Sequence, residues 1–173
     1  MITVISATQR TGSLTAKVAL SYSQLLDKIH IDNHILYLNN LDPSDLYENF
    51  NGDFTSSFSA LVEKYLENSE KFVVVSPEYH GSYPGVFKSF IDCVGSKCFK
   101  TKKVALVGVS SGRAGNIRGM DHMTTIFHHL GTEVYSDQVK LSGINKLMND
   151  SGQIIDQESL NVLNSQLNGF ISF

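Results

Sequence analysis

The chain is poor in the residues that mark disordered, disulfide-rich or metal-binding proteins. It holds 3 prolines and 2 cysteines among 173 residues. So few prolines leave little material for a disordered linker. The two cysteines, Cys93 and Cys98, fit neither the C-x-x-C redox motif nor paired zinc ligands. We therefore expect idle, buried thiols rather than a disulfide, and no metal site.

Long apolar runs and an excess of positive charge are also missing. No apolar run approaches the ~20 residues of a membrane span, and Met1 leads directly into the apolar run Ile2–Ile5 with no basic leader or cleavage site. The formal net charge is -3, with a pI of about 6.0. There is no global basic field to gather nucleic acid or anionic lipid. We expect a soluble, cytoplasmic protein that binds neither membranes nor nucleic acid.

One local basic cluster precedes the fourth predicted strand, and it has two interpretations. Its members are Lys97, Lys100, Lys102 and Lys103. A solvated loop is the favoured interpretation, and a patch for phosphate or a redox partner is the other.

Short β-branched runs alternate with helical periodicity along the whole chain. The third and fourth runs are continuously apolar, as strands covered on both faces should be. The predicted strands are Ile2–Ser6, Ile35–Leu38, Phe72–Ser76, Val104–Val109 and Glu133–Tyr135. The length predicts a single domain spanning residues 1–173.

Helical stripes separate these strands. They are centred on Leu14–Ile29, Phe58–Leu66, Val86–Val94, Ile117–Leu130 and a last segment that begins near Asp156. Strict alternation predicts an α/β fold with a doubly wound, five-stranded parallel sheet, helices on both faces and right-handed crossovers. Residues 39–55 show no clear period and are expected to form an exposed loop. Residues 141–155 are irregular and contain the turn signal Asn149–Gly152.

Three loops follow the first, third and fourth strands, and the first suits an anion. Residues 8–15 combine four hydroxyl side chains, Arg10 and the start of a helix. Free helical N–H groups, the helix dipole and a guanidinium together favour a phosphate. A simple helix cap at Ser13 is the alternative, although a cap does not require Arg10. The loop matches neither G-x-x-x-x-G-K-[ST] nor G-x-G-x-x-G.

The three loops together resemble the NAD(P)H-dependent FMN reductase family of flavodoxin-like proteins. The resemblance rests on Thr8-x-Arg10-x-x-Ser13, the specific motif from Pro77 to Gly85 (PEYHGSYPG), and Ser111-Gly112-Arg113-Ala114-Gly115. It runs from Met1 to about Tyr135. It implies a flavodoxin-like sheet of order 2-1-3-4-5, bound FMN, and ping-pong transfer of reducing equivalents from NADPH or NADH to quinone, azo, flavin or similar acceptors. It also implies a homodimer or homotetramer.

The resemblance assigns roles to particular positions. It implies that the FMN phosphate is held by Thr8, Arg10, Ser13 and Thr15. It implies that the ribityl chain and the dimethylbenzene side are lined by Pro77, Glu78, Tyr79, His80, Gly81 and Ser82. It implies that the pyrimidine end of the ring is covered by Ser111, Gly112, Arg113 and Gly115. Three positions depart from the family pattern, because Thr8 replaces Ser, Thr15 replaces Asn, and His80 stands where Asn is common.

The third loop bears on mechanism, because flavin reduction places negative charge near N1 and O2. Backbone N–H groups or a cation aimed there stabilise the reduced state. Gly112 and Gly115 are expected to permit close backbone approach, and Arg113 is the nearby cation, with a plain surface arginine as the alternative. No other catalytic side chain is required, since hydride transfer depends mainly on proximity and stacking. Tyr79 and Tyr83 are candidates either for walls of the ring or for core filling.

Two further classes share parts of this pattern. A non-enzymatic FMN electron carrier of the flavodoxin type usually shows a Thr-x-Thr-Gly-x-Thr loop and strong acidity, whereas Leu14 interrupts that loop here and the charge is only -3. A flavin-free homologue with a binding or regulatory role is the other class. For the subunit interface, the candidates are Phe87, Phe90, Met123 and Ile126, with core packing as the alternative for each.

Overall fold

A parallel sheet organises the chain in the computed structural model, which describes all residues, 1–173. The strands are β1 (Ile2–Ser6), β2 (Asn33–Tyr37), β3 (Lys71–Pro77), β4 (Lys103–Ser110), β5 (Glu133–Val134) and β6 (Val139–Ser142). Their order is β2-β1-β3-β4-β5, with β6 also paired to β4, and every pairing is parallel. The predicted order 2-1-3-4-5 is confirmed.

Helices cover both faces of this sheet. They are α1 (Leu14–Lys28), α2 (Pro43–Glu48), α3 (Ser56–Val62, continued by a π-helical turn over Glu63–Glu67), α4 (Gly85–Val94), α5 (Ile117–His129) and α6 (Gln157–Ser172). Alternate residues of β3 point to opposite faces. Val73 and Val75 join a core with α1 and α6, whereas Phe72 and Val74 join a core with α3, α4 and α5. The fold is flavodoxin-like.

Two segments predicted to be irregular contain regular structure. Residues 39–55 contain the short helix α2. Only Leu46 of this helix is buried, so the sequence shows no helical period of apolar residues there. Asp42 caps it through the N–H of Ser44. Strand β6 begins at Val139 and ends within residues 141–155, and in it buried Val139 and Leu141 flank exposed Lys140. The prediction of five strands is therefore one strand short.

The fifth position in the sheet is filled by two strands in succession. Strand β5 pairs with β4 only at Lys103 and Val104, and β6 then pairs with β4 from Val107 to Ser110. The chain leaves the sheet between these pairings. Because β6 lies beside the carboxyl end of β4, it also supports the loop that follows β4.

Three of the four interface candidates are core residues. Phe87, Phe90 and Met123 have no exposed surface, and they pack against β3 and β4 in the core shared by α3, α4 and α5. They cannot contact a partner subunit, so core packing was the correct alternative for them. Cys93 and Cys98 are buried thiols, as expected, and burial raises the pKa of both. None of the helices is long and apolar enough to cross a membrane.

Candidate active site

Three loops meet at the carboxyl edge of the sheet because β1, β3 and β4 are neighbours there. They enclose a cavity of about 370 Å³. It is lined by Arg10, Thr11, Gly12, Ser13, Leu14, Thr15, Pro77, Glu78, Tyr79, Val109, Ser110, Ser111 and Ile144. An adjoining cavity of about 320 Å³ shares Glu78, Ser110 and Ser111 with it and continues over His80 to Arg113. Both volumes lie in the range of small-molecule sites.

The first loop presents a row of backbone donors. None of the N–H groups from Thr11 to Thr15 has a hydrogen-bond partner within the chain. Gly12 has φ +66°, which turns the loop at little steric cost. Ser13 Oγ accepts a hydrogen bond from the N–H of Ala16 at 3.1 Å, so the predicted helix cap is present. The cap leaves the other N–H groups free, and these suit an anion at the positive end of the helix dipole.

Thr8, Arg10 and Tyr79 form one contact cluster beside this row. Thr8 is fully buried; its Oγ1 lies 2.7 Å from Tyr79 Oη and accepts a hydrogen bond from the N–H of Arg10 at 3.3 Å. Arg10 is exposed, and its Cζ lies 4.4 Å from the centre of the Tyr79 ring. This cation–π contact holds the guanidinium near the free N–H groups. The cavity thus has one fixed cation at its phosphate-suited end.

The second loop is a tight turn stabilised by its own backbone. The N–H of Tyr79 donates to Ser82 O at 2.8 Å, and the N–H of Ser82 donates to Tyr79 O at 3.1 Å. His80 has φ +52° and Gly81 has φ +77°. Positive φ at both central residues defines a type I′ turn. Asn and His both tolerate this conformation better than most residues, which explains how His80 can replace the more common Asn.

Two side chains of α5 contact this turn. Ser82 Oγ lies 2.8 Å from His122 Nδ1, and Arg118 Nη1 lies 3.8 Å from Glu78 Oε1. Tyr83, just after the turn, packs edge-on against Phe87 with ring centres 6.2 Å apart. Burial raises the pKa of Tyr83. Tyr83 therefore belongs with the core, whereas Tyr79 lines the cavity.

The third loop presents a second row of backbone donors. The N–H groups of residues 111–114 have no partner within the chain. The carbonyls of residues 112–114 are all engaged: Gly112 O accepts from Ser110 Oγ and Gly143 N, Arg113 O from Ser142 Oγ, and Ala114 O from Ile117 N. Because the acceptors are used and the donors are free, this loop can recognise an electron-rich group.

The two glycines of this loop have different surroundings. A Cβ on Gly112 would have nothing within 4 Å, so this residue leaves open space on the cavity side. A Cβ on Gly115, which has φ +56°, would lie 2.7 Å from Lys140 Cβ of β6. The glycine at position 115 is therefore required by packing against β6. Gly115 lines neither cavity.

Most of the fourteen residues predicted for the site lie on its walls. The residues that line one cavity or both are Arg10, Ser13, Thr15, Pro77, Glu78, Tyr79, His80, Gly81, Ser111, Gly112 and Arg113. The other three, Thr8, Ser82 and Gly115, line neither cavity. Their roles as direct cofactor ligands stay predictions. Thr8 and Ser82 instead hold Tyr79 and His122 by hydrogen bonds.

Sequence reasoning missed several lining or supporting residues. Gly12 acts through the backbone, and Ile144 comes from the segment read as irregular, so neither gives a side-chain signal. Thr11 was counted among the four hydroxyl side chains of the first loop but was assigned no role of its own. Arg118 and His122 did carry a signal. They lie four residues apart on one exposed face of a helix, a spacing that brings two side chains to the same neighbour.

A larger cavity of about 500 Å³ lies between α2 and the start of α4. Its walls are mainly apolar, including Leu38, Leu41, Leu46 and Val86. No Lys or Arg lines it, whereas Arg10 lines the cleft at the sheet edge. Its chemistry therefore does not suit a phosphate.

Comparison with known proteins agrees with this architecture. A model of the family described as NADPH-dependent FMN reductase matches residues 1–146. The quinone reductase of Escherichia coli (strain K12) is 30% identical over 125 residues, which cover 69% of this chain and 66% of that protein. The NAD(P)H-dependent FMN reductase of Pseudomonas aeruginosa is 25% identical over 121 residues, covering 66% of this chain and 65% of that protein. The chain thus aligns with about two thirds of the length of these relatives.

Solved structures extend the likeness to nearly the whole chain. The flavoenzyme NAD(P)H:(acceptor) oxidoreductase of Paracoccus denitrificans superposes with a TM-score of 0.81, at 23% identity, over 99% of this chain and 94% of that chain. At this identity the superposition shows the shared fold. Together with the family match over residues 1–146, it leads to one conclusion: the chain belongs to the NADPH-dependent FMN reductase family.

Proposed function

We propose that this protein is an FMN-dependent NAD(P)H oxidoreductase that passes electrons to quinone, azo, flavin or similar small-molecule acceptors by a ping-pong mechanism. One observation carries the proposal beyond family membership. Two rows of unbonded backbone N–H groups, Thr11–Thr15 and Ser111–Ala114, border the same cleft, with Arg10 beside the first. Such a cleft fits a molecule with a phosphate at one end and an electron-rich ring at the other.

The residues present fit FMN. The first row of N–H groups and Arg10 match a phosphate monoester in charge and in hydrogen-bonding sense. Ser13 and Thr15 add hydroxyl groups to the same wall. The segment from Pro77 to Gly81 lines the middle of the cleft and offers the Tyr79 ring as an apolar surface. The second row of N–H groups matches the carbonyl and nitrogen acceptors of the pyrimidine end.

Bound FMN would accept a hydride from the nicotinamide and pass the electrons on to the acceptor. The chain's own residues bind and orient. The loop that carries the N–H groups of residues 111–114 is held by the engaged carbonyls of residues 112–114, so these donors stabilise negative charge with little rearrangement. Arg113, exposed at the same loop, adds a positive charge there. No side chain is required to transfer a proton, since positioning supplies most of the rate.

We further propose that the 173 residues act as one cytoplasmic domain in a homodimer or homotetramer. Exposed apolar side chains support an association surface: Tyr47 is 80% exposed and Phe50 is 47% exposed, both beside the apolar cavity at α2. Such residues are costly to leave in water when they are clustered.

The visible spectrum of the purified protein tests the proposal first. We expect flavin bands that correspond to one FMN per chain. The FMN-loaded protein should then consume NADPH or NADH steadily with a quinone acceptor, well above an equal concentration of free FMN. Flavin bands without this turnover would support the electron-carrier alternative. A colourless protein that takes up no added FMN would support a flavin-free homologue and refute the proposal.

A further inference from the structure

Asn116 has an unusual conformation for the start of a helix. Its φ is 61° and its ψ is 31°, the left-handed region, which asparagine tolerates better than most residues but still at some cost in free energy. A residue at this position of a helix usually caps it with its side chain. The side chain of Asn116 makes no capping bond. Its Oδ1 is buried without a hydrogen-bond partner, and the residue has no exposed surface.

The carboxamide of Asn116 reaches instead to the end of β3. Its Nδ2 lies 3.1 Å from Ser76 O, 3.0 Å from Pro77 O and 3.3 Å from Ser76 Oγ, and it donates to these acceptors. The neighbouring helix makes room for this contact. A Cβ on Gly119 would lie 2.1 Å from Asn116 Oδ1. The contact between Asn116 and the end of β3 is therefore accompanied by three unusual features. These are the left-handed backbone of Asn116, the absence of a side-chain cap on α5, and a glycine, Gly119, inside the helix.

This contact joins two of the loops that border the cleft. Pro77 is followed directly by Glu78 and Tyr79, which line it, and Asn116 directly follows the loop that carries the second row of N–H groups. Ser110 Oγ, Ser142 Oγ and Gly143 N fix the other side of that loop. Strained residues persist where the surrounding structure holds them, and they concentrate at functional sites.

We propose that Asn116 is a positioning residue that locks the loop of residues 111–115 to the end of β3. The lock sets the direction of the free N–H groups and so stabilises reduced flavin more than oxidised flavin. This inference rests on the proposed function. It concerns a residue that lines neither cavity and acts through the carbonyls of Ser76 and Pro77.

Asn116→Gly is the informative substitution, because glycine suits the left-handed backbone and removes only the carboxamide. We expect the variant to fold and to bind oxidised FMN with only modestly reduced affinity. The ratio of its affinities for reduced and oxidised FMN should fall about tenfold, the size of effect expected when a hydrogen bond to a charged group is misplaced. This corresponds to a midpoint potential about 30 mV more negative for the two-electron couple.

Ser76→Ala is the matched control. It removes one acceptor, Ser76 Oγ, and leaves the carbonyls of Ser76 and Pro77 to hold the carboxamide. Its midpoint potential should match that of the wild type. Equal potentials in the wild type and Asn116→Gly would overturn the proposal.

Hydrogen–deuterium exchange of the flavin-free proteins separates this proposal from the proposed function. In Asn116→Gly, the hydrogen-bonded amides of the two segments, those of Glu78, Tyr79, Ser82 and Gly115, should exchange faster together, by about tenfold, while those of α1 and α6 stay unchanged. Unchanged exchange at both segments would also overturn the positioning role. A wild-type protein that bound no FMN would refute the proposed function, and the exchange result would still decide whether Asn116 locks the two loops.

Discussion

The two edges of the sheet treat their polar groups in opposite ways. At the carboxyl edge, the N–H groups of residues 11–15 and 111–114 have no partners within the chain. At the amino edge, lysines bond the free carbonyls of helix ends. Lys71 Nζ donates to Phe170 O at 3.0 Å and to Ile171 O at 2.7 Å. Lys102 donates to Leu66 O and Glu67 O, and Lys103 donates to Phe173 O.

This difference separates a structural edge from a binding edge. Cations at the carboxyl ends of helices are favourable, so the amino edge is satisfied by the chain itself. Partial burial lowers the pKa of Lys71 and Lys102, which is the cost of holding them there. At the carboxyl edge, the donors are left for something outside the chain. The positions of the charged residues alone would have suggested that the amino edge binds an anion, since the lysines cluster there.

The largest expected effect comes from disturbing the packing beneath the binding edge. In Gly108→Ala, the added Cβ would lie 2.0 Å from Gly115 O and 3.0 Å from Met120 Cε. Backbone cannot yield cheaply, so we expect the free energy of unfolding to fall by about 2 kcal/mol or more, with FMN binding strongly weakened. Denaturant unfolding and FMN titration measure the two effects.

Gly112→Ala is the control for that substitution. Its Cβ would meet nothing within 4 Å in the flavin-free chain, so the free energy of unfolding should stay within about 0.5 kcal/mol of the wild-type value. FMN affinity should still fall if this loop closely approaches the ring. Equal stability of the two variants would mean that Gly108 does not support the loop.

A second pair of substitutions tests the contrast between the edges directly. Arg10→Ala removes a charge-assisted hydrogen bond worth roughly 1.5–3 kcal/mol, so FMN should bind about ten- to a hundredfold more weakly. Stability should hardly change, because Arg10 is exposed. Lys71→Met should lower the free energy of unfolding by about 1–2 kcal/mol through two lost hydrogen bonds, with FMN affinity unchanged. A loss of FMN affinity in Lys71→Met would break the contrast between the edges.

Much of the fold could be predicted because its determinants are local. Continuous apolar runs such as Phe72–Val75 signal a doubly covered strand, and regular stripes signal the long helices. Strand β6 and helix α2 were missed because each buries too few residues for a period to be visible. The break between β5 and β6 depends on pairing with β4, which is a long-range contact.

The site could be predicted where a side-chain motif or the start of a helix carries the signal. Arg10 and Tyr79 were identifiable from the motifs, and both lie at the cleft. The helix start predicted free N–H groups in the first loop, but the row at Ser111–Ala114 is a backbone property of the folded chain that the side chains do not reveal. The left-handed conformation of Asn116 and the packing of Gly115 on Lys140 depend on contacts between distant segments. No local pattern encodes such contacts.

The smallest effect concerns two helices that both begin at the carboxyl edge. Helix α1 has no acidic residue in its first turn, whereas α6 begins with the cap Asp156 and has Glu158 in its first turn. The helix start of α6 thus carries its own negative charge, and that of α1 is left for an external anion. Hydrogen bonds from Ser159 Oγ, at 2.7 Å, and from its backbone N–H, at 2.8 Å, lower the pKa of Asp156.

A lowered carboxyl pKa contributes stability above the unfolded value of 3.8, and that stability is lost as the pH falls through the lower, folded value. Asp156→Asn keeps a capping oxygen without a titrating charge. We therefore expect the variant to be slightly less stable than the wild type at pH 7 and the two stabilities to converge below pH 3.8. Denaturant unfolding across this range measures the difference. Parallel curves would show that the cap of α6 acts through geometry alone, and the charge contrast between α6 and α1 would then lose its support.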